Sequence, residues 1–170
     1  MGAIQICLIL TYLYRKVFCK IKVMQKTFFT TKQAAEITGC TLRQLQYWRE
    51  SGVVVPVIAE TGTGRSIYYS RSNLIELTAI AYWLSIGLSF EIARETLKTL
   101  KEKEPEVFNS SQRKRLMLWR SQVDQSFCVA EFDVERVMTA WADGLPIVPV
   151  WLDVIYQRVE TRLKSWAKCA

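Results

Sequence analysis

The sequence predicts an α+β fold in which short helices are interrupted by strand-like runs. Three observations lead to this prediction. Two helical patterns meet at a Gly-Cys-Thr step near residue 40, a Gly-Thr-Gly turn separates two β-branched or aromatic runs, and alternating apolar runs follow Pro105. Since half of the 170 residues are hydrophobic, the chain can bury one real core with a small second unit.

Positive charge is concentrated in the first part of the chain. The formal net charge is +7, and the residues up to Arg71 hold ten Lys or Arg against three Glu, whereas the remaining bases and acids cancel. From Lys26 to Arg71 the excess is three. A cluster of this sign favours an anionic partner, although a solvated basic surface explains the same charges without one.

Cysteine and histidine usage argues against several kinds of chemistry. The five cysteines are scattered without a CxxC pair, and the chain has no histidine. We therefore expect no metal site, no cofactor and a reducing, cytoplasmic location. Without histidine or a nucleophile signature, we also expect that the protein is not an enzyme.

Residues 1–26 do not conform to the pattern of the rest. The apolar run "GAIQICLILTYLY" is too short to span a bilayer and precedes the basic "RKVFCKIK" instead of following it. We interpret residues 1–23 as a dispensable N-terminal extension ahead of a start at Met24, and we expect no membrane association. A membrane anchor is the alternative.

The stretch "TTKQAAEITGCTLRQLQYWRESG" predicts two helices in a tight pair. Thr30 caps a helix over Thr31–Thr38, Gly39 supplies the left-handed turn, and Thr41 caps a second helix that runs to about Ser51. The helical period predicts a buried stripe on this second helix, formed by Leu42, Leu45 and Trp48.

The opposite side of the second helix carries long hydrogen-bonding side chains: Arg43, Gln44, Gln46, Tyr47 and Glu50. Two helices joined by a glycine-containing turn form a helix-turn-helix. Its second helix typically presents such residues to base edges and phosphates of DNA. An ordinary helical pair with a polar face is the alternative.

A hairpin is predicted after the second helix. "VVVPVIAETGTGRSIYYS" has two strand-like runs around the glycine turn, with Arg65 just past the tip. This placement is typical of a wing, and Arg65 could contact phosphate or a minor groove. The "GTG" lacks the spacing of a nucleotide-binding loop.

Two more helices follow, one from Ser72 or Asn73 to Gly87 and one from Ser89 to Pro105. The order of elements closely resembles the MerR family of transcription regulators. The matching signatures are "TTKQAAEITGCTLRQLQYWRESGVVVP", "GTGRSIYYSRSNL" and "LSIGLSFEIARETL". Short members without an effector domain also resemble regulators that accompany CRISPR-associated transposons.

This resemblance implies a winged helix-turn-helix, a homodimer and an inverted-repeat operator in double-stranded DNA. By position, it implies DNA contacts for Thr41, Arg43, Gln44 and Tyr47 on the recognition helix. It implies a wing contact for Arg65 and less certain backbone contacts for Arg49 and Lys32.

The chain departs from the family beyond Pro105, where no sustained heptad pattern follows. Strand, strand, helix, strand and a final amphipathic helix from about Leu152 to Trp166 predict a small α+β unit. The predicted domains are the extension 1–26, the DNA-binding domain 27–104 and a dimerisation or interaction unit 105–170. The last is marginal for independent folding, so we expect it to fold against something.

The helix over residues 73–86 is apolar around nearly its whole circumference, which predicts burial on more than one side. One side should pack on the winged helix, and the other on the C-terminal unit or a second subunit. Tyr82 and Trp83 are the candidate dimer-interface residues, with a purely local core as the alternative.

The predicted function is sequence-specific DNA binding for transcriptional control, with repression favoured because the family's activators use a long coiled coil. An architectural recombination factor, such as an excisionase that bends DNA, is the alternative. We expect no small-molecule effector, because the C-terminal unit is too small for a sizeable pocket.

Overall fold

The computed structural model describes residues 28–58, 67–109, 114–123 and 127–169. The predicted extension 1–26 and the hairpin tip with Arg65 lie outside these residues. The helices are α1 (Thr31–Thr38), α2 (Leu42–Glu50), α3 (Arg71–Ser85), α4 (Phe90–Lys103), α5 (Val134–Ala142) and α6 (Leu152–Cys169), with a 3₁₀ turn at Pro105–Phe108. The strands are β1 (Phe28–Thr30), β2 (Tyr68–Ser70), β3 (Arg115–Arg120), β4 (Phe127–Glu131) and β5 (Ile147–Trp151).

The helix-turn-helix forms as its caps predict. The Thr30 hydroxyl accepts from the Gln33 amide while the Gln33 side chain accepts from the Thr30 amide. Gly39 ends α1 at φ 75°, in the left-handed region. A second reciprocal capping box, between Thr41 and Gln44, starts α2. Local chemistry therefore sets both helix boundaries at this turn.

A short antiparallel sheet closes the side of this unit. β1 pairs with β2, with Phe29 opposite Tyr69, and both of these side chains are buried. This pairing joins the residues before α1 to the second run of the predicted hairpin, a long-range contact that the sequence pattern did not indicate. The first run is represented by one antiparallel bridge, Ile58 to Tyr68. The wing stays a prediction, with that bridge in its favour.

Helix α3 starts earlier than predicted. Its cap is Ser70, whose hydroxyl accepts from the Asn73 amide while the Asn73 side chain accepts from the Ser70 amide. Ser72 and Asn73, the predicted starting residues, therefore lie inside the first turn. Asn73 also donates from Nδ2 to the Val55 carbonyl at 3.1 Å, which fastens the first hairpin run to α3.

The C-terminal unit has the predicted elements. Its sheet has the order β4-β3-β5, and both pairs are antiparallel. Asp133 caps α5 by accepting from the Arg136 amide. Helix α6 buries Leu152, Ile155, Tyr156 and Val159 along one stripe, as its helical period indicates.

Helix α6 packs against α3 and α1, so the C-terminal unit folds on the helix-turn-helix. The Tyr156 hydroxyl donates to the Val107 carbonyl at 2.9 Å, and the indole N–H of Trp166 donates to Glu36 at 3.1 Å. One continuous apolar core includes residues of both units. The domain boundary predicted at 104/105 falls between α4 and the 3₁₀ turn, but the core continues across it.

Candidate nucleic-acid interface

Helix α2 has an anchored side and an open side. Leu45 and Trp48 are 1% and 2% exposed and fix the helix to the core. The open side consists of exposed residues: Thr41, Leu42, Arg43, Gln44, Gln46, Tyr47 and Glu50. Anchoring at only two positions, one turn apart, leaves the rest of a nine-residue helix available to a partner.

The prediction that Leu42 belongs to the buried stripe of α2 is wrong. Its side chain is 56% exposed, because it is the first residue of α2 and projects beyond the core that covers Leu45 and Trp48. An exposed leucine between the Thr41 cap and Arg43 offers an apolar contact of the kind that thymine methyl groups make. The helical period alone predicts that Leu42 is buried. Its position as the first residue of the helix is the feature that could have indicated exposure.

Gln44 has a structural role in the free protein. Its Oε1 accepts from the Thr41 amide at 2.8 Å and from the Thr41 hydroxyl at 3.0 Å. The Thr41 hydroxyl in turn accepts from the Gln44 amide at 3.1 Å. Both lone pairs of that oxygen are therefore in use, and the Gln44 side-chain NH₂ is the group left to contact a base.

Tyr47 leans on an aromatic residue from outside the helix-turn-helix. Its ring lies 5.3 Å from that of Phe90, and the Trp48 ring stacks on Phe90 at 6.5 Å with an interplanar angle of 12°. Phe90 is the first residue of α4, placed there by the Ser89 cap. The sequence did not predict that Phe90 supports Tyr47, although the "GLSF" stretch indicates that a helix begins at Phe90. Tyr47 is still 54% exposed, so its hydroxyl can reach a partner.

The basic residues of this region differ in how well they are paired. In the described part of the chain, the Arg43 and Lys32 side chains have no carboxylate within ion-pair distance. Arg49 lies 3.7 Å from Glu50 and is mostly covered, with 26% of its side chain exposed. Burial raises the pKa of the nearby Tyr69 hydroxyl, and the charge of Arg49 acts in the opposite direction. Arg49 thus points partly inward, unlike Arg43 and Lys32.

The two candidate dimer residues have different surroundings. Trp83 is fully buried within its own subunit, which agrees with the alternative of a local core. Its indole therefore has no free face for a second chain in this conformation. Tyr82 is half-buried, and the Arg158 guanidinium lies 4.7 Å from the centre of its ring.

The residues that the structure describes lack the features of a metal site and of a membrane span. These residues contain no cluster of three or more Cys, Asp or Glu suited to a metal ion. None of the helices described is both long enough and apolar enough to span a bilayer. A small cavity of about 170 Å³ lies under α5, lined by residues that include Trp119, Arg136 and Asp143.

Comparison with known proteins bears on the first of the two units. The model of the MerR HTH family regulatory protein matches residues 29–100. Uncharacterized HTH-type transcriptional regulators of Mycobacterium bovis and of two strains of Mycobacterium tuberculosis are 32% identical over 71 residues. These matches cover 41% of this chain and 32% of each relative, so the chain spans about a third of the length of the relatives it matches. Over residues 29–100, the chain is therefore similar to the MerR family of helix-turn-helix regulatory proteins.

Proposed function

We propose that the protein is a sequence-specific DNA-binding repressor that acts in the cytoplasm as a homodimer on an inverted-repeat operator. The observation that carries the proposal is the open side of α2. There, Arg43 and the Gln44 NH₂ group are exposed on a helix that Leu45 and Trp48 hold rigidly. Rigid placement of hydrogen-bond donors is what base recognition in a major groove requires.

Each residue of the interface has a distinct role in this proposal. Arg43 reads a guanine edge, and the Gln44 NH₂ donates to a purine acceptor. Leu42 contacts a thymine methyl. Tyr47 donates to a backbone phosphate, with Phe90 supporting its ring.

Backbone contacts complete the proposed interface. Lys32 neutralises a phosphate at the start of α1, and Arg65 does so from the wing. Thr41 contributes mainly by capping α2, and Arg49 by a backbone contact from its partly covered position. These contacts position the protein without selecting a sequence.

A homodimer follows from the proposed operator. An inverted repeat presents two half-sites about one DNA turn apart, roughly 34–36 Å, to a protein with twofold symmetry. Tyr82 remains the proposed interface residue on α3. Sedimentation of Tyr82→Ala across a concentration series should show a weaker dimer than the wild type.

Repression fits the length of the helix that follows the DNA-binding elements. Helix α4 has 14 residues, about 21 Å at 1.5 Å per residue. It ends at Lys103, before Pro105. A helix of this length is too short for the long coiled coil that the resemblance associates with activators, so occlusion of a promoter is the simpler mode.

The experiment begins by selecting genomic DNA with the purified full chain. Binding of Arg43→Ala and Arg65→Ala to the selected site and to a scrambled duplex is then measured over a salt series. We expect Arg43→Ala to lower the ratio of the two affinities, because a bidentate base contact contributes about 1–3 kcal/mol of discrimination. Arg65→Ala should weaken both affinities and leave their ratio nearly unchanged.

Lys98→Ala is the matched control. It removes an exposed cation of α4 that pairs with Glu102 at 3.9 Å, outside the proposed interface. Full specificity in Arg43→Ala would show that α2 does not read sequence. Selected sites clustered at recombination ends, instead of promoters, would favour an architectural factor.

A further inference from the structure

Helix α6 of the C-terminal unit brings a cation to the turn of the helix-turn-helix. Arg162 is exposed, and its Nη1 donates to the carbonyl of Ile37 at 3.3 Å. The same atom lies 2.4 Å from the position that a Cβ on Gly39 would occupy. The guanidinium therefore rests on the backbone of the turn, two residues before the Thr41 cap of α2.

Contacts on both sides hold Arg162 in this place. One turn further along α6, the Trp166 indole donates to Glu36, and its ring meets Phe29 edge-on at 6.5 Å. Two residues before Arg162, the carboxylate of Glu160 lies 3.6 Å from the guanidinium of Arg71 at the start of α3. These contacts join α6 to α1, β1 and α3. The helix that carries Arg162 is therefore fixed in position next to the turn.

The charge of Arg162 is left uncompensated. In the part of the chain that the structure describes, no carboxylate lies within ion-pair distance of its guanidinium. Glu36 accepts from the Trp166 indole, and Glu160 lies 3.6 Å from Arg71. A guanidinium has five N–H donors, and the bond to Ile37 uses one of them.

The surroundings of Arg162 indicate what the remaining donors could bind. In a helix-turn-helix, the first helix crosses the DNA backbone and the N-terminal residues of the second enter the major groove. The turn beside the Thr41 cap therefore lies close to the sugar-phosphate backbone. Phosphate oxygens are the preferred partners of an unpaired guanidinium.

We propose that Arg162 binds a DNA backbone phosphate beside the recognition helix, so that the C-terminal unit forms part of the DNA interface. The inference rests on the proposed function, because it takes duplex DNA as the partner and α2 as the recognition helix. It extends that function to a residue outside the segment that resembles the family. The contact is independent of base sequence.

The test compares Arg162→Gln with the wild-type full chain on the selected site and on a scrambled duplex between about 50 and 200 mM salt. Each neutralised phosphate contributes about 0.9 to the slope of log affinity against log salt. When one contact per subunit is lost, the salt increase should reduce the affinity of the variant by a smaller factor than that of the wild type. The difference between the two factors is about 3.5-fold per subunit over this range. Both duplexes should be affected alike, and Arg162→Lys should restore most of the slope.

Lys98→Gln is the control, since Lys98 is an exposed cation of α4 that pairs with Glu102 at 3.9 Å, away from α2, Arg162 and Tyr82. Its salt slope should equal that of the wild type. Thermal unfolding of each variant is measured alongside. If Arg162→Gln loses affinity with an unchanged salt slope, Arg162 only positions the turn and the proposal is wrong.

Failure of the proposed function would look different. In that case Arg43→Ala keeps full specificity, or the wild-type chain binds no duplex at all. If only specificity is absent, the salt slope of Arg162→Gln on scrambled DNA still decides the role of Arg162. If no duplex binds, both proposals are overturned.

Discussion

Replacing Gly39 with alanine should destabilise the protein through two separable effects. The first is conformational, because Gly39 has φ +75° and a residue with a Cβ pays about 1–2 kcal/mol in the left-handed region. The second is steric, because the new Cβ would lie 2.4 Å from Nη1 of Arg162. The guanidinium must then move away and lose its bond to Ile37, which costs about 0.5–1 kcal/mol more.

A matched glycine separates these effects. Gly144 has φ +74°, and no described atom lies within 4 Å of the position of its Cβ. Gly144→Ala should therefore show the conformational cost alone. Gly39→Ala should cost about 0.5–1 kcal/mol more than this control in the wild-type background. In an Arg162→Ala background, the two glycine substitutions should cost the same.

Urea unfolding of the three single variants, the two double variants and the wild type measures these differences, and the midpoint of thermal unfolding should move by about 2–4 °C for each kcal/mol. Equal costs at Gly39 and Gly144 in the wild-type background would refute the contact between Arg162 and the turn. The phosphate contact proposed for Arg162 would lose its geometric basis with it.

Two further predictions concern α3. Trp83→Ala should lower the free energy of unfolding by about 3–5 kcal/mol because the indole is fully buried, whereas Trp141→Ala, at a side chain 59% exposed, should change it by less than about 0.5 kcal/mol. Equal losses in urea unfolding would contradict the placement of Trp83. Burial raises the pKa of Glu76 above the usual value of a glutamate carboxyl, and the charge of Lys101 at 2.8 Å opposes this. A carboxyl group whose pKa is higher in the folded than in the unfolded protein contributes stability that is fully present below the unfolded pKa. That contribution is lost as the pH rises through the folded pKa. Glu76→Gln should therefore gain stability relative to the wild type as the pH rises through the titration of Glu76; a difference independent of pH would rule this out.

The sequence predicted best those features that depend on neighbours along the chain. Thr30, Thr41 and Ser89 cap their helices as expected, because a cap needs only a hydroxyl and an amide three residues away. The exposed position of Arg43 followed from the helical period in the same way. The MerR resemblance, which rests on these local signatures, was confirmed by the match over residues 29–100.

Several features that depend on distant parts of the chain were not predicted. Leu42 is exposed because the core ends at Leu45, and a period cannot show where a core ends. Phe90 supports Tyr47 across more than forty intervening residues. Trp83 could have faced a second subunit on its sequence pattern alone, but its side chain is fully buried within its own subunit.

The packing of α6 on α1 has a consequence for the time order of synthesis. The earliest helix of the described chain is completed by contacts with Arg162 and Trp166, which are about 125 and 130 residues later in sequence. At about 5–20 residues per second, a ribosome needs roughly 3–12 s to add the stretch from Pro105 to Trp166. Throughout that interval α2 is already synthesised, but the turn that leads into it lacks its contact with Arg162. A nascent chain therefore completes the proposed DNA-binding surface only after α6 emerges, and a chain terminated early would lack these contacts.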